Sequence, residues 1–239
     1  SCRAVAQGVA ALLAYSALAQ FLRSDALAIV CALALVGLAF WSVELDRNRL
    51  LPAFGAVLAL CLLWAVGPLV EWTAAGAGSL FALPMFASDL PDVQQSVLRL
   101  LVPSFLIGGA WRLTASHLSR KMRIATLAVA SVLASVALHV LFKQIWSIDS
   151  ADDFVRFGLI ERMSWEALLF GGALLAWRFD QGRVALGFTA VGLAHFAWYT
   201  MILHNPLVAE QHVGCTAVAN LLLPAYGLPL LCRRVLDGR

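Results

Sequence analysis

Long apolar runs separated by charged residues set the pattern of this chain. A bilayer core about 30 Å thick takes roughly 20 apolar helical residues to cross, with about 17–25 tolerated. Runs of that kind fall at 4–22, 26–43, 50–70, 95–111, 124–142, 160–177, 184–203 and 215–231. They predict an all-α fold, a polytopic transmembrane helical bundle of about eight spans, forming a single transmembrane domain over residues 1–239. The fourth run is the least regular, with Arg99 near its start and Pro103 inside it. An arginine near a helix end can snorkel to the interface, and a proline is tolerated where the freed carbonyl finds another partner. Residues 4–22, which contain the small-x-small triplet Ala17-Leu18-Ala19, also have the form of a signal peptide. Seven further runs favour an ordinary span. Because the chain begins at Ser1 rather than Met, its native amino terminus is expected to lie upstream.

Composition agrees about the solvent. Hydrophobic residues make up 62% of the chain and charged residues 13%, with a mean hydropathy of +0.84. Soluble domains carry roughly 45–50% apolar and about 25% charged residues, so this chain must use lipid as its outer solvent. Net charge is +3, and the basic residues are scattered between apolar runs. That arrangement does not suggest a nucleic-acid surface, and no nucleic-acid partner is expected. The five cysteines, Cys2, Cys31, Cys61, Cys215 and Cys232, are widely spaced and form no CxxC or Cys/His ligand pattern. They read as small packing residues.

Numbering the two sides of the membrane alternately gives an orientation. The side of the amino terminus collects Arg3, Arg47, Arg49, Arg112, Arg120, Lys121, Arg123, Arg178, Arg183, Arg233, Arg234 and Arg239, twelve of the 17 basic residues. Positive charge favours the cytoplasm, so both termini are expected there. The opposite face then owns the longer connections near 71–94, 143–159 and 204–214. Within them, Ser150-Ala151-Asp152-Asp153 has the form of a capping box. It predicts a short interfacial helix that bends near Gly158 into the sixth span. Pro91 and Asp92 suit a further helix start, and the small residues Thr73–Ser79 read as loop.

An ionisable residue at membrane depth is expensive and therefore a functional candidate. Glu166 lies inside the sixth run, with Arg162 four residues earlier on the same helical face and Glu161 and Arg156 nearby. That cluster reads either as a structural ion-pair group or as a substrate-binding one. In the seventh run Thr189, Gly192, His195 and Tyr199 recur at helical steps and give one mildly polar face. Such a histidine lines a pocket, or more commonly bonds across to a neighbouring helix. His139, near the outer end of the fifth run, has the same two readings with less around it. Just outside the seventh run stand His204, Asn205 and Pro206, then Glu210 and His212. His204 and His212 with Glu71, Asp89, Asp92 and Glu210 could assemble an outward-facing site, but no HxxH or HExxH spacing guarantees that they converge, and no metal or cofactor is expected. The eighth run, with Asn220, Pro224, Tyr226, Gly227 and Pro229, reads as a kinked or broken helix. Gly108-Gly109 and Gly171-Gly172 suit close helix approach in lipid.

The carboxyl end carries a resemblance. His204-Asn205-Pro206-Leu207, Val213-Gly214 and the stretch from Asn220 through Tyr226-Gly227 to Pro229 resemble the ending of a bacterial family of predicted membrane proteins, domain of unknown function 2339. Arg156-Phe157-Gly158-Leu159 with Glu161-Arg162 resembles the same family, and the likeness covers roughly residues 95–235. It implies a bacterial inner-membrane location and a chain that is part of, or a short relative of, a longer polytopic protein. Its partners would be membrane lipid and further spans of such a parent. It implies no catalytic residues. Two functional readings follow: a transporter-like or scaffolding bundle, or a membrane-embedded enzyme acting on a lipid-linked or envelope substrate at the outer face. The ligand is not legible in either.

Overall fold

In the computed structural model of the protein, the described residues are 2–44, 51–114, 118–205, 207 and 208, together with Gly227 and Pro229. Every regular element among them is helical. We label the long helices α1 (Cys2–Ala19), α2 (Ser24–Glu44), α3 (Leu51–Ser79), α4 (Val93–Thr114), α5 (Arg120–Ile145), α6 (Ala151–Arg178) and α7 (Gly182–Leu203). Helices α2, α3, α4, α5 and α7 are long and apolar enough to cross a membrane. The chain is thus a membrane-embedded protein, all-helical over its described residues. Its outward faces fit that solvent: Leu13, Leu63, Phe105 and Leu186 are each more than half exposed, a surface lipid solvates and water does not. Helix α1 is shorter, and α6 has the length but carries Asp152, Asp153, Arg156, Glu161, Arg162, Glu166 and Arg178. The eighth run, 215–231, with Asn220, Pro224 and Tyr226, lies outside the described residues except for Gly227 and Pro229, as do Pro206, Glu210 and His212.

Three local expectations change. Thr73–Ser79 is not loop but the last two turns of α3. Its alanines are the best helix formers, and the Thr73 hydroxyl is absorbed by the carbonyl of Val70 at 3.0 Å. Helix α6 starts where the capping box foretells, with the Ser150 hydroxyl accepting the Asp153 N–H, but it runs unbroken through Gly158. The glycine serves packing there: a Cβ would sit 3.3 Å from Arg162 Nη1 and 3.4 Å from the Phe154 ring. At the third place Asp92, not Pro91, opens the helix, taking the Gln95 N–H on its carboxylate at 2.7 Å.

The residues cluster into two compact units, Ser1–Gly76 with Ala87–Ile145, and Ala77–Phe86 with Trp146–Arg239. In the first, α2 packs on α4 and α4 on α5. The buried stripes Leu27, Cys31, Leu35 and Ala39 of α2, and Ala130, Leu133, Ala137 and Val140 of α5, repeat at three- and four-residue steps. Many of these are small, which lets helices approach closely where packing rather than water drives association. Cys31 and Cys61 are buried free thiols in this core. Polar ties reinforce it. Arg99 Nε donates to Asp25 Oδ1 at 2.8 Å and its Nη2 to Ser24 Oγ at 3.1 Å, so an arginine expected to snorkel instead joins α4 to the first turn of α2. It sits in a π-helical stretch, Ser96–Leu101, just ahead of Pro103. Proline offers no N–H to the carbonyl four residues back, and the widened turn accommodates that gap.

In the second unit α6 and α7 pack antiparallel along a glycine-relieved seam. Phe170 of α6 lies on Gly192 of α7, and Phe188 of α7 lies on Gly172 of α6. The two contacts differ in tightness. A Cβ on Gly192 would meet the Phe170 ring at 2.9 Å, whereas one on Gly172 would meet Phe188 at 3.4 Å. Phe170 is 2% exposed and has nowhere to retreat. Gly192→Ala is therefore expected to destabilise the folded protein in detergent by about 1–3 kcal/mol, with Gly172→Ala close to neutral. Equal effects of the two in a reversible unfolding titration would contradict this seam.

Candidate functional site

The stripe of α6 that meets α7 is not wholly apolar. Arg162, Glu166, Phe170 and Ala173 follow one another at three- and four-residue steps, and all are buried. Glu166 is completely buried, and α7 supplies its partners. Thr200 Oγ1 donates to Glu166 Oε1 at 2.6 Å, and His195 Nδ1 stands 3.5 Å from the same oxygen. The His195 ring lies against Tyr199, centroids 4.9 Å apart. Tyr199 in turn shares a 3.1 Å hydrogen bond with Ser79 Oγ at the end of α3, and Trp198 Nε1 donates to the Leu80 carbonyl at 3.2 Å. Glu166, Thr200 and His195 thus form one polar cluster, against which the Tyr199 ring, hydrogen-bonded to Ser79, is stacked.

A turn of π-helix makes this convergence possible. In an α-helix a residue five positions on points about 140° away, at 100° per residue. Phe196–Leu203 is π-helical, and the His204 N–H reaches back five residues to the Tyr199 carbonyl at 3.0 Å. That wider turn lets Thr200 reach α6 while Tyr199 stays beside His195. The carboxyl is nonetheless only half satisfied. Glu166 Oε2 and His195 Nδ1 are buried atoms without a hydrogen-bond partner among the described residues. A bare buried carboxylate oxygen is costly, and a proton or a polar guest removes that cost.

The other expected residues divide. Glu161 and Arg162 are buried in α6, and Arg162 is within electrostatic reach of both Glu161 and Glu166. Its guanidinium carbon lies 6.0 Å from the Phe154 ring centroid, which on another side meets His204 at 5.1 Å. Arg156 is exposed and rests over Phe157. Asn205 caps a local turn, its Oδ1 accepting the Leu207 N–H at 3.0 Å. Tyr226 lies outside the described residues. The fold therefore unites Glu166, His195 and Tyr199, sets Arg162 and His204 around Phe154, and leaves Arg156 exposed. His139 belongs elsewhere, accepting from Trp72 Nε1 at 3.1 Å. Thr189 bonds the Ala185 carbonyl of its own helix and contributes nothing here. Among the described residues no three His, Cys, Asp or Glu side chains converge as a metal would require.

Searches of protein-family models, of curated proteins and of solved structures find no match to the chain. The chemistry must be read from the residues alone.

At the end of α7, burial and then the positive charge of Arg162 hold His204 below the ordinary imidazole value of 6.5. A lowered folded-state value means the unfolded chain binds the proton more readily. The stabilisation is present above the unfolded value and is lost as pH falls through the folded one. Between about pH 7.5 and about pH 5.5 the thermal midpoint in detergent is expected to fall, and to fall less in His204→Gln. The same decline in both proteins would remove His204 from the account.

Proposed function

We propose that the chain is a transporter-like helical bundle of the bacterial inner membrane, in which Glu166 and His195 take up and release a proton. In this reading the protein has about eight spans, with both termini cytoplasmic, and works as part of a longer polytopic envelope protein. The charged helix α6 serves as one span, with Glu166 turned to the α7 seam rather than to lipid. The basic residues on one side of the alternating spans support the orientation, and the carboxyl-terminal resemblance to domain of unknown function 2339 supports the location and the longer parent.

A single observation carries the functional part. Glu166 is fully buried, its Oε1 held by Thr200 with His195 Nδ1 3.5 Å away, and its Oε2, like that nitrogen, has no hydrogen-bond partner among the described residues. A carboxylate oxygen and an imidazole nitrogen side by side and away from water offer a proton two acceptor atoms to move between. Carboxylate–histidine chains of this kind form proton relays in membrane transport. The Tyr199–Ser79 hydroxyl pair lies beside the His195 ring and adds polar groups next to the pair. A purely scaffolding bundle has no need of an ionisable pair in this position.

Proteoliposomes with an entrapped pH dye and an imposed inside-negative potassium diffusion potential test the reading. The native protein is expected to take up protons above the protein-free background. Glu166→Gln is expected to return uptake to that background, and Thr200→Val to slow it. Uptake in Glu166→Gln equal to the native rate, or no uptake by either protein, would leave the scaffold reading in its place.

A further inference from the structure

The first unit carries a second polar feature that the Glu166 cluster does not touch. Where the end of α4 meets the start of α5, a cavity of about 340 Å³ is lined by Trp111, Arg120, Arg123, Ile124 and Leu127. The two arginines are exposed, and neither meets an acid among the described residues. The first turn of α5 contains no acidic residue to offset them. Lys121 and Arg112 add charge at the same end of the helix pair. Ile124 is 59% and Leu127 44% exposed. They stand four and seven positions after Arg120, so a cationic end and an apolar wall share one helix face.

From this juxtaposition the geometry points to a binding site for one anionic glycerophospholipid, its phosphate on Arg120 and Arg123 and its acyl chain along Ile124 and Leu127. Charge complementarity selects the headgroup: guanidinium groups grip phosphate oxygens in bidentate geometry, and basic pockets between membrane helices bind anionic headgroups. The apolar wall selects a lipid over a free anion, which has nothing to lay against Ile124 or Leu127. Trp111 has the amphipathic ring that settles at headgroup level. The volume falls within the roughly 300–1,000 Å³ usual for small-molecule sites. This inference needs only a membrane-embedded chain and stands or falls apart from the Glu166 reading.

Native mass spectrometry of the delipidated full chain, titrated with phosphatidylglycerol, phosphatidylcholine or inorganic phosphate, tests it. One tightly held phosphatidylglycerol is expected, with phosphatidylcholine, whose choline cation faces the same arginines, bound at least about tenfold more weakly, about 1.4 kcal/mol. Arg120→Gln with Arg123→Gln is expected to abolish that preference. The charge-matched pair Arg178→Gln with Arg183→Gln, on the second unit, is expected to keep it, and Leu127→Ser to weaken phosphatidylglycerol but not phosphate. Equal loss in both arginine pairs would reduce the effect to general surface charge and overturn the site. Phosphate binding as tight as phosphatidylglycerol would overturn the lipid assignment. The native protein gives an independent reading if the double variant does not fold. A headgroup-photoreactive phosphatidylglycerol should crosslink within 111–127, and adducts confined to other segments would sink the proposal.

Discussion

Lipid offers no hydrogen bonds, so a polar side chain on a membrane helix has to be met by another part of the protein. Arg99 is met by Asp25 and Ser24 of α2, His139 by Trp72, Tyr199 by Ser79, and Glu166 by Thr200. Each of these bonds joins segments far apart in sequence. Apolar packing in this setting distinguishes poorly between one helix face and another, because the surrounding lipid is as apolar as leucine. The polar pairs, with the glycine contacts of Phe170 and Phe188, specify which faces meet.

Glu166 is where that logic is least complete. Measured hydrogen bonds between membrane helices contribute on average about 0.6 kcal/mol, too little to justify burying a carboxyl for stability alone. An apolar residue at the same place on the seam would pack without any desolvation cost. The acid, its second oxygen without a partner among the described residues, and the adjoining histidine are the observations on which the proposed proton role rests. The same physics separates Glu166 from Arg99, whose guanidinium is shared between two partners and which acts as a tie.

Much of the helical layout was readable before any coordinates. Run length between charges locates seven helices, most with ends shifted by a few residues, though α3 runs nine residues past its predicted end and α6 starts nine residues before its predicted start; lipid thickness imposes a length that sequence must match. The capping box at Ser150 was equally plain, because its geometry is local. What escaped was non-local or depended on small residues. Thr73–Ser79 looks like a loop by its glycines, yet its alanines carry the helix on. Gly158 looks like a bend and is instead a seat for Arg162 and Phe154. At the site, Glu166, His195 and Tyr199 stood out as polar residues in apolar runs, but Thr200 did not. Five positions after His195, it falls off that face at α-helical spacing and returns only through the π-turn, which no spacing rule announces. Ser79 was hidden for a related reason, since its partner lies 120 positions away.

A double-mutant cycle between Glu166→Gln and Thr200→Val, read by reversible unfolding of the full chain in detergent, tests the central contact most directly. If Thr200 holds the buried carboxyl across the α6–α7 seam, the two changes should be non-additive by about 0.5 kcal/mol or more. Additive losses, agreeing within about 0.3 kcal/mol, would mean that the two side chains do not meet, and the polar cluster built on Glu166 would have to be abandoned.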